Sequence, residues 1–379
     1  MNRYYKVFMY GLVLTFINSA CTRKIDPNVI YIGHYDSMTG SEATFGQGSY
    51  NGVKLALLEL NKAGGIHGKQ VQVVSMDDQS KNEEARSVIT RLLSRKEIIA
   101  VIGGVASSRT LAAAPVAQET QIPFVSPSST NPRVTQIGEY IFRVCFIDPF
   151  QGWVMAKFAM EHLKAQKLAI LRDVKSDYSV GLADFFKKGV KDRGGEIVSD
   201  LTYQAGDIDF KAQLTQIRSH KPDAIFIPGY YTEVGLIARQ AKQLGIDVPL
   251  LGGDGWDSAK LTEIGQDAVN DSYFSNHYSQ DTKDPIAQDF IRKYVELYKD
   301  FPDGLGALGY DTARILFEAM ARTQDLTPEQ IRDELAKTKD FIGVTGKISI
   351  DENRDAKKSA VVVKIEKGHQ KMVTTIEPE

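Results

Sequence analysis

The chain after residue 28 alternates between short apolar runs and longer segments with a helical repeat. The apolar runs at 29–33, 71–75 and 98–102 have the length and composition of buried strands. Between them, residues 46–63 and 82–95 place apolar side chains at i, i+3, i+4 and i+7, the pattern of an amphipathic helix. This first stretch therefore predicts a sheet covered by helices.

The same alternation returns in the second part of the chain. Apolar runs at 168–171, 197–201 and 224–227 are separated by helical stripes. The glycine pairs 64–65 and 194–195 end corresponding helices, because glycine accepts the left-handed conformation that closes a helix. The pattern predicts an α/β fold of two Rossmann-like lobes, each with a mostly parallel sheet covered on both faces.

The segments near 146–149 and 273–278 have little helical pattern and are the predicted crossings between lobes. Two lobes joined in this way form a clamshell with a hinge, and ligand pockets favour such interfaces. The predicted division assigns two discontinuous segments to each lobe. Lobe one comprises 29–147 plus 278–343, and lobe two comprises 148–277 plus 344–379.

The composition is that of an ordinary folded protein. The chain has 379 residues, of which 42% are hydrophobic and 25% charged, with a formal net charge of −2. The length suggests two domains, and the near-neutral charge gives no electrostatic reason to expect nucleic acid.

The first residues have the features of an export signal. Two basic residues precede an apolar run over 7–17, which is too short to span a membrane. We predict a signal peptide at 1–20 and a lipidated tether at 21–28, in which Cys21 carries the acyl chains that anchor an extracytoplasmic lipoprotein. The alternative is ordinary cleavage near Ala20. Since Cys145 is then the one remaining cysteine, we expect it to be a buried thiol without a disulfide.

Two loops rich in hydroxyl groups follow apolar strands. Residues 103–110 read GGVASSRT and residues 126–133 read SPSSTNPR. Loops at the carboxyl ends of adjacent parallel strands face one crevice, where hydroxyls and free helical N–H groups can capture an anion, most simply a carboxylate.

Signatures of catalysis are missing from the sequence. It contains no G-x-G-x-x-G after the first strand, P-loop, G-x-S-x-G, H-E-x-x-H or C-x-x-C motif, and its six histidines are scattered. Asp77 and Asp78 are adjacent in the sequence, and we interpret them as residues of a loop at the end of a strand. We therefore predict no catalytic residue, metal or cofactor, and a crevice that holds a molecule without transforming it.

Several short motifs occur together in a familiar order. They are DSMTG at 36–40, G-x-G-x-x-x-G at 46–52, N-x-x-GGI at 61–66, DDQ at 77–79, SPSSTNP at 126–132 and LLGGDGWD at 250–257. This set resembles the substrate-binding proteins of branched-chain amino acid ABC transporters, a group of type I periplasmic binding proteins. The resemblance covers essentially everything after residue 29.

The resemblance implies that an α-amino acid binds between the lobes. Ser107 matches the serine that binds the ligand carboxylate, and Thr130 matches its threonine partner in the second loop. Ser128 matches a position that offers main-chain contacts. Ser107 could instead cap the following helix, and Thr130 could stabilise a turn.

The resemblance also places residues at the other end of the ligand. Asp254 matches the acidic residue that pairs with the ligand ammonium, a glutamate in well-known members, although Asp254 could be a turn residue. Phe45 matches an aromatic wall, and Tyr178 and Tyr230 match tyrosines of lobe two that close over the ligand. Tyr230 and Tyr231 cannot both face the cleft, and we favour Tyr230.

The implied function is that of a monomeric, non-enzymatic receptor. It would capture a branched-chain or other apolar amino acid and deliver it to the membrane permease of an ABC transporter. Two alternatives stay open at this point: the same fold could bind another small carboxylate such as an aromatic acid, or it could serve as a sensory ligand-binding module.

Overall fold

The computed structural model describes residues 26–378 of the chain. The predicted signal peptide and residues 21–25 of the predicted tether, including Cys21, lie outside the described residues. The described chain begins just before its first strand, which starts at Val29.

The first lobe is built on a fully parallel sheet of five strands. The strands are β1 (Val29–Asp36), β2 (Gln70–Asp77), β3 (Ile98–Gly103), β4 (Phe124–Ser126) and β5 (Ile141–Arg143). They lie in the order β2-β1-β3-β4-β5. The carboxyl ends of β3 and β4 therefore lie side by side, which agrees with the prediction that the two hydroxyl-rich loops face one crevice.

The second lobe contains a sheet of seven strands, five of them parallel. The remaining strands of the chain are β6 (Lys167–Asp173), β7 (Glu196–Tyr203), β8 (Ala224–Phe226), β9 (Leu250–Gly252), β10 (Tyr273–Asn276), β11 (Phe341–Gly343), β12 (Gly346–Ile350), β13 (Ala356–Lys357), β14 (Ala360–Glu366) and β15 (His369–Ile376). The large sheet has the order β15-β14-β10-β9-β8-β6-β7, with β14 and β15 antiparallel. Strands β11 to β13 form a small separate sheet.

Eleven α-helices of the described chain cover these sheets. They are α1 (Ala43–Lys62), α2 (Asn82–Leu93), α3 (Ser107–Glu119), α4 (Asp148–Lys157), α5 (Asp177–Asp192), α6 (Lys211–Ser219), α7 (Tyr231–Gln243), α8 (Ala259–Gly265), α9 (Pro285–Tyr298), α10 (Gly304–Arg322) and α11 (Pro328–Ala336). The apolar stripe of α2 is buried as predicted. The predicted α/β architecture of two lobes with mostly parallel sheets is confirmed.

Helices α1 and α10 pack closely on the first lobe. A Cβ atom added at Gly52 would collide with the carbonyl of Gly306, and one added at Gly309 would collide with the carbonyl of Ser49. The two glycines thus let the helix backbones approach each other. This packing fixes the position of the first turn of α10, which reaches the cavity between the lobes described below.

Segments 144–147, 277–278 and 358–359 connect elements of the two lobes. The predicted second lobe includes everything from residue 344, but residues 344–357 contact the first lobe. Asp311 of α10 accepts hydrogen bonds from the N–H groups of Val344 and Thr345, and Arg143 donates its N–H to the carbonyl of Arg354. We therefore propose a boundary near residue 358 for the last crossing.

Within residues 26–378, no helix combines the length and apolar character that crossing a bilayer would need. Cys145, the free cysteine of this part of the chain, is fully buried. Burial raises the pKa of the Cys145 thiol, so it stays protonated as a small apolar group.

Candidate functional site

A small cavity lies between the lobes at the carboxyl ends of their parallel strands. Its walls come from both lobes and from the first turn of α10. The lining residues are Phe45, Val105, Ser107, Ser128, Tyr178, Tyr230, Asp254, Gly255 and Leu305. The structure thus brings together six of the seven residues predicted from the sequence.

The wall from lobe one is rich in hydrogen-bond donors. Ser107 is the first residue of α3, and the preceding Ala106 provides no side-chain cap. The first N–H groups of a helix have no partner within that helix, so this terminus suits an anion. The Ser107 hydroxyl accepts the N–H of Asn131 at 3.2 Å, which ties the two hydroxyl-rich loops together. Ser107 therefore joins the loops and does not act as the cap of α3.

Thr130 is the one predicted residue that does not line the cavity. Its side chain is fully buried, and its hydroxyl group lies beside the carboxyl group of Asp148. Its carbonyl accepts the N–H of Asp148 at 2.9 Å. Thr130 thus lies behind the cavity wall, beside the first residue of α4.

Asp148 was not predicted from the sequence as a site residue. Its side chain is fully buried. Burial raises the pKa of Asp148 to about 8, the hydrogen bond from the Thr130 hydroxyl opposes part of that rise, and the charge of Asp254 adds to it. Asp148 is therefore a second buried carboxyl group near Asp254, and it holds a proton at pH 7.

Asp254 is held by side chains far from it in sequence. Its Oδ1 atom accepts a hydrogen bond from Gln151 Nε2 at 2.8 Å, and its Oδ2 atom lies 3.2 Å from His277 Nε2. The Gln151 amide also lies 3.1 Å from the hydroxyl of Ser275. Since these contacts occupy both oxygens, Asp254 is part of a buried network and its carboxylate is not engaged in a local turn.

Aromatic rings form the wall from lobe two. The rings of Tyr178 and Tyr230 stack with centroids 5.3 Å apart, and Phe45 of lobe one meets Tyr230 edge-on at 5.6 Å. The Tyr178 hydroxyl accepts the N–H of Gly255 at 3.2 Å. Tyr231 does not line the cavity and packs edge-on against Phe45 at 4.9 Å. Burial raises the pKa of both Tyr178 and Tyr230, so their hydroxyls stay protonated.

Two apolar residues of the lining were missed. Val105 follows β3, and Leu305 lies in the first turn of α10. An apolar residue beside a strand or in a helix has the same sequence pattern whether it packs in a core or lines a pocket. Together with Phe45, these side chains give the cavity an apolar portion.

The two lobes touch each other directly around the cavity. The hydroxyls of Thr44 and Ser258 lie 3.0 Å apart, and Thr232 donates its hydroxyl to the Ser41 carbonyl at 3.0 Å. Asp177, at the start of α5, contacts three side chains of lobe one. These are Ser108, which accepts the N–H of Asp177 at 2.9 Å, Asn131, which donates to its carbonyl at 2.8 Å, and Arg133, which pairs with its carboxylate at 2.9 Å. The clamshell is therefore closed.

In residues 26–378, no group of three or more His, Cys, Asp or Glu side chains could hold a metal ion. The cavity presents hydrogen-bond donors on one side and the carboxyl group of Asp254 on the other, together with apolar side chains. This arrangement suits a small dipolar molecule with an apolar side chain.

Comparison with known proteins agrees with this geometry. The family model described as "Periplasmic binding protein" matches residues 29–370. A leucine-, isoleucine-, valine-, threonine- and alanine-binding protein of Pseudomonas aeruginosa is 30% identical over 322 residues, 84% of this chain and 85% of the relative.

Solved structures give the same result. A leucine-binding protein of Thermotoga maritima is 41% identical with a TM-score of 0.88, over 92% of this chain and 99% of the other. The branched-chain amino acid transporter substrate-binding protein of Streptococcus pneumoniae, solved with isoleucine, is 36% identical with a TM-score of 0.88, over 92% and 100%. The resemblance predicted from the motifs is confirmed, and the chain belongs to the periplasmic binding protein family.

Proposed function

We propose that this protein is an extracytoplasmic receptor that captures an apolar α-amino acid in the interlobe cleft. The observation that carries the proposal is the arrangement of the cavity walls. The N-terminus of α3 and the hydroxyls of Ser107 and Ser128 lie in one lobe, and the carboxylate of Asp254 lies in the other. A zwitterion needs both walls at once.

The ligand carboxylate would accept hydrogen bonds from the Ser107 hydroxyl and from backbone N–H groups of both loops. The ammonium would donate to Asp254, the carboxylate that lines the cavity. Charge-assisted hydrogen bonds contribute roughly 1.5–3 kcal/mol each.

The ligand side chain would lie against Phe45, Val105 and Leu305. The names of the relatives, which bind leucine, isoleucine and valine, support the same class of ligand. After the cost of lobe closure, we expect a binding free energy of about −8 kcal/mol, which corresponds to a dissociation constant near the micromolar range.

In this proposal the ligand bridges the lobes and favours the closed form, and the closed receptor delivers it to the permease of an ABC transporter. The receptor acts as a monomer and carries no catalytic activity. Acyl chains on Cys21 would hold it at the membrane, with the residues before the first strand as a tether.

A thermal-shift screen against the twenty amino acids and common aromatic acids tests this function. A specific ligand raises the melting temperature by mass action, with about 2.7 kcal/mol of added stability at a hundred times the dissociation constant. We expect the largest shifts with leucine, isoleucine or valine. The matched variant Asp254→Ala should lose the shift, because it removes the counter-charge of the ammonium.

If an aromatic acid without an amino group gives the largest shift, and Asp254→Ala leaves that shift intact, the receptor binds a different carboxylate. If no small molecule shifts the melting temperature, the proposed function is wrong.

A further inference from the structure

His277 lies where the ligand anchor and the hinge meet. It follows β10 directly, at the point where the chain leaves lobe two for lobe one. Because β9 and β10 are adjacent parallel strands, with Phe274 opposite Gly252, their carboxyl ends bring Asp254 and His277 together. The side chain of His277 is completely buried.

The imidazole contacts a different partner on each of its sides. Its Nε2 atom lies 3.2 Å from Asp254 Oδ2, and its ring stacks on Phe146 with centroids 3.6 Å apart and an angle of 26° between the planes. Phe146 belongs to the first crossing between the lobes, and His277 to the second. The ring thus connects two crossing segments with the carboxylate of Asp254.

The chemistry of this contact fixes the tautomer. An ionised carboxylate only accepts hydrogen bonds, so the proton must be on Nε2 for the 3.2 Å contact to be a hydrogen bond. The Nδ1 atom is buried and has no partner in the described chain, which agrees with an unprotonated nitrogen. Burial lowers the pKa of His277 to about 4, although Asp254 opposes this, so the ring is neutral at pH 7.

We infer that His277 is a positioning residue for ligand binding: through its Nε2–H donor it holds Asp254 in the orientation that receives the ligand ammonium. This inference rests on the proposed function. Asp254 carries the counter-charge on a short side chain, and Gln151 donates to its other oxygen at 2.8 Å. With both oxygens oriented, the carboxylate loses little further freedom when the ligand arrives.

The neutral ring also explains why histidine suits this place. A lysine or arginine would give Asp254 a full positive partner and would compete with the ligand ammonium for its charge. A neutral donor orients the carboxylate and leaves its charge available to the ligand.

Two variants separate the hydrogen bond from the stacking. His277→Phe keeps an aromatic ring against Phe146 and removes the donor. His277→Gln removes the ring and restores an N–H donor at the position of Nε2. We expect His277→Phe to raise the dissociation constant for L-leucine roughly ten- to a hundredfold, the effect of a lost charge-assisted hydrogen bond. His277→Gln should stay within about threefold of the wild type.

The binding constants come from calorimetry on the full-length protein, with thermal unfolding of each variant as the control for folding. Nitrogen-15 NMR of the wild-type imidazole reports the tautomer without any ligand. We expect a neutral ring protonated at Nε2 at pH 7. A ring protonated at Nδ1 would overturn the inference whether or not an amino acid binds.

The outcomes distinguish this inference from the proposed function. If the wild type binds L-leucine and His277→Phe binds it equally well, the positioning role is wrong and the receptor function stands. Equal losses in His277→Phe and His277→Gln would likewise contradict a role through the donor. If the wild type binds no amino acid, the proposed function itself fails, and the positioning role fails with it.

Discussion

At the residue scale, the site depends on a few buried polar groups whose partners are distant in sequence. The loops that carry Ser107 and Ser128 could be predicted because each has an unusual run of small polar residues after an apolar strand, whereas Asp254 was predicted from the family resemblance. Asp148 and His277 were not predicted, since neither belongs to a hydroxyl-rich loop or to one of the motifs that carry the family resemblance. Their role depends on which strands become neighbours, and a local pattern does not contain that information.

Asp148 also has a consequence for stability. Burial raises its pKa to about 8, so between about pH 4 and pH 8 the folded state keeps a proton that the unfolded state releases. Stability from this residue therefore falls as pH rises through that range. We expect Asp148→Asn to raise the free energy of unfolding at pH 8 by about 1 kcal/mol or more, with little change at pH 4.

Chemical denaturation of both proteins at the two pH values measures this difference. A variant that is less stable than the wild type at pH 8 would contradict the account of Asp148 as a buried carboxyl group that keeps its proton.

At the scale of elements, periodicity predicted the regular parts of the fold well. The strand at 98–102 is observed as Ile98–Gly103, and the helix at 82–95 as Asn82–Leu93. The first helix begins at Ala43, three residues before the predicted start, because the glycines at 46, 48 and 52 weaken the helical pattern near its beginning. The last strand, His369–Ile376, was missed, since its alternating polar residues lie at an edge of the sheet and are largely exposed.

The close packing of α1 on α10 predicts the effect of a substitution at Gly52. Gly52→Ala adds a Cβ where the Gly306 carbonyl lies, so the helices must separate. Overpacking of this kind costs typically 1–3 kcal/mol of stability. Since α10 carries Leu305 into the cavity, ligand binding should weaken as well.

Thermal unfolding and calorimetry measure the two effects of Gly52→Ala. Leu58→Ala is the matched control, because Leu58 lies on the same helix and is 54% exposed. Equal stabilities of Gly52→Ala and the wild type would show that the two helices are not in close backbone contact.

At the scale of the whole molecule, binding is linked to closure of the two lobes. Direct contacts between the lobes stabilise the closed form together with the ligand, and Asp177 of lobe two accounts for three of them. The ligand and these contacts therefore act on the same equilibrium.

Ser108→Ala removes the hydroxyl that accepts the N–H of Asp177. Ser108 does not line the cavity. A net hydrogen bond contributes about 1 kcal/mol, so we expect the dissociation constant for L-leucine to rise about fivefold. Ser94→Ala, which removes an exposed hydroxyl at the end of α2, should leave it unchanged. Small-angle scattering should show a more open average shape for unliganded Ser108→Ala. An unchanged affinity would mean that this contact does not contribute to closure.

The central claim is that opposed donor and carboxyl walls recognise both ends of an amino acid. Calorimetry with L-leucine and with 4-methylpentanoate, which lacks only the amino group, tests it most directly. The account predicts a dissociation constant near the micromolar range for L-leucine and at least hundredfold weaker binding of the analogue, because Asp254 would face no ammonium. Equal affinities for the two compounds, or no heat with L-leucine, isoleucine or valine, would contradict it.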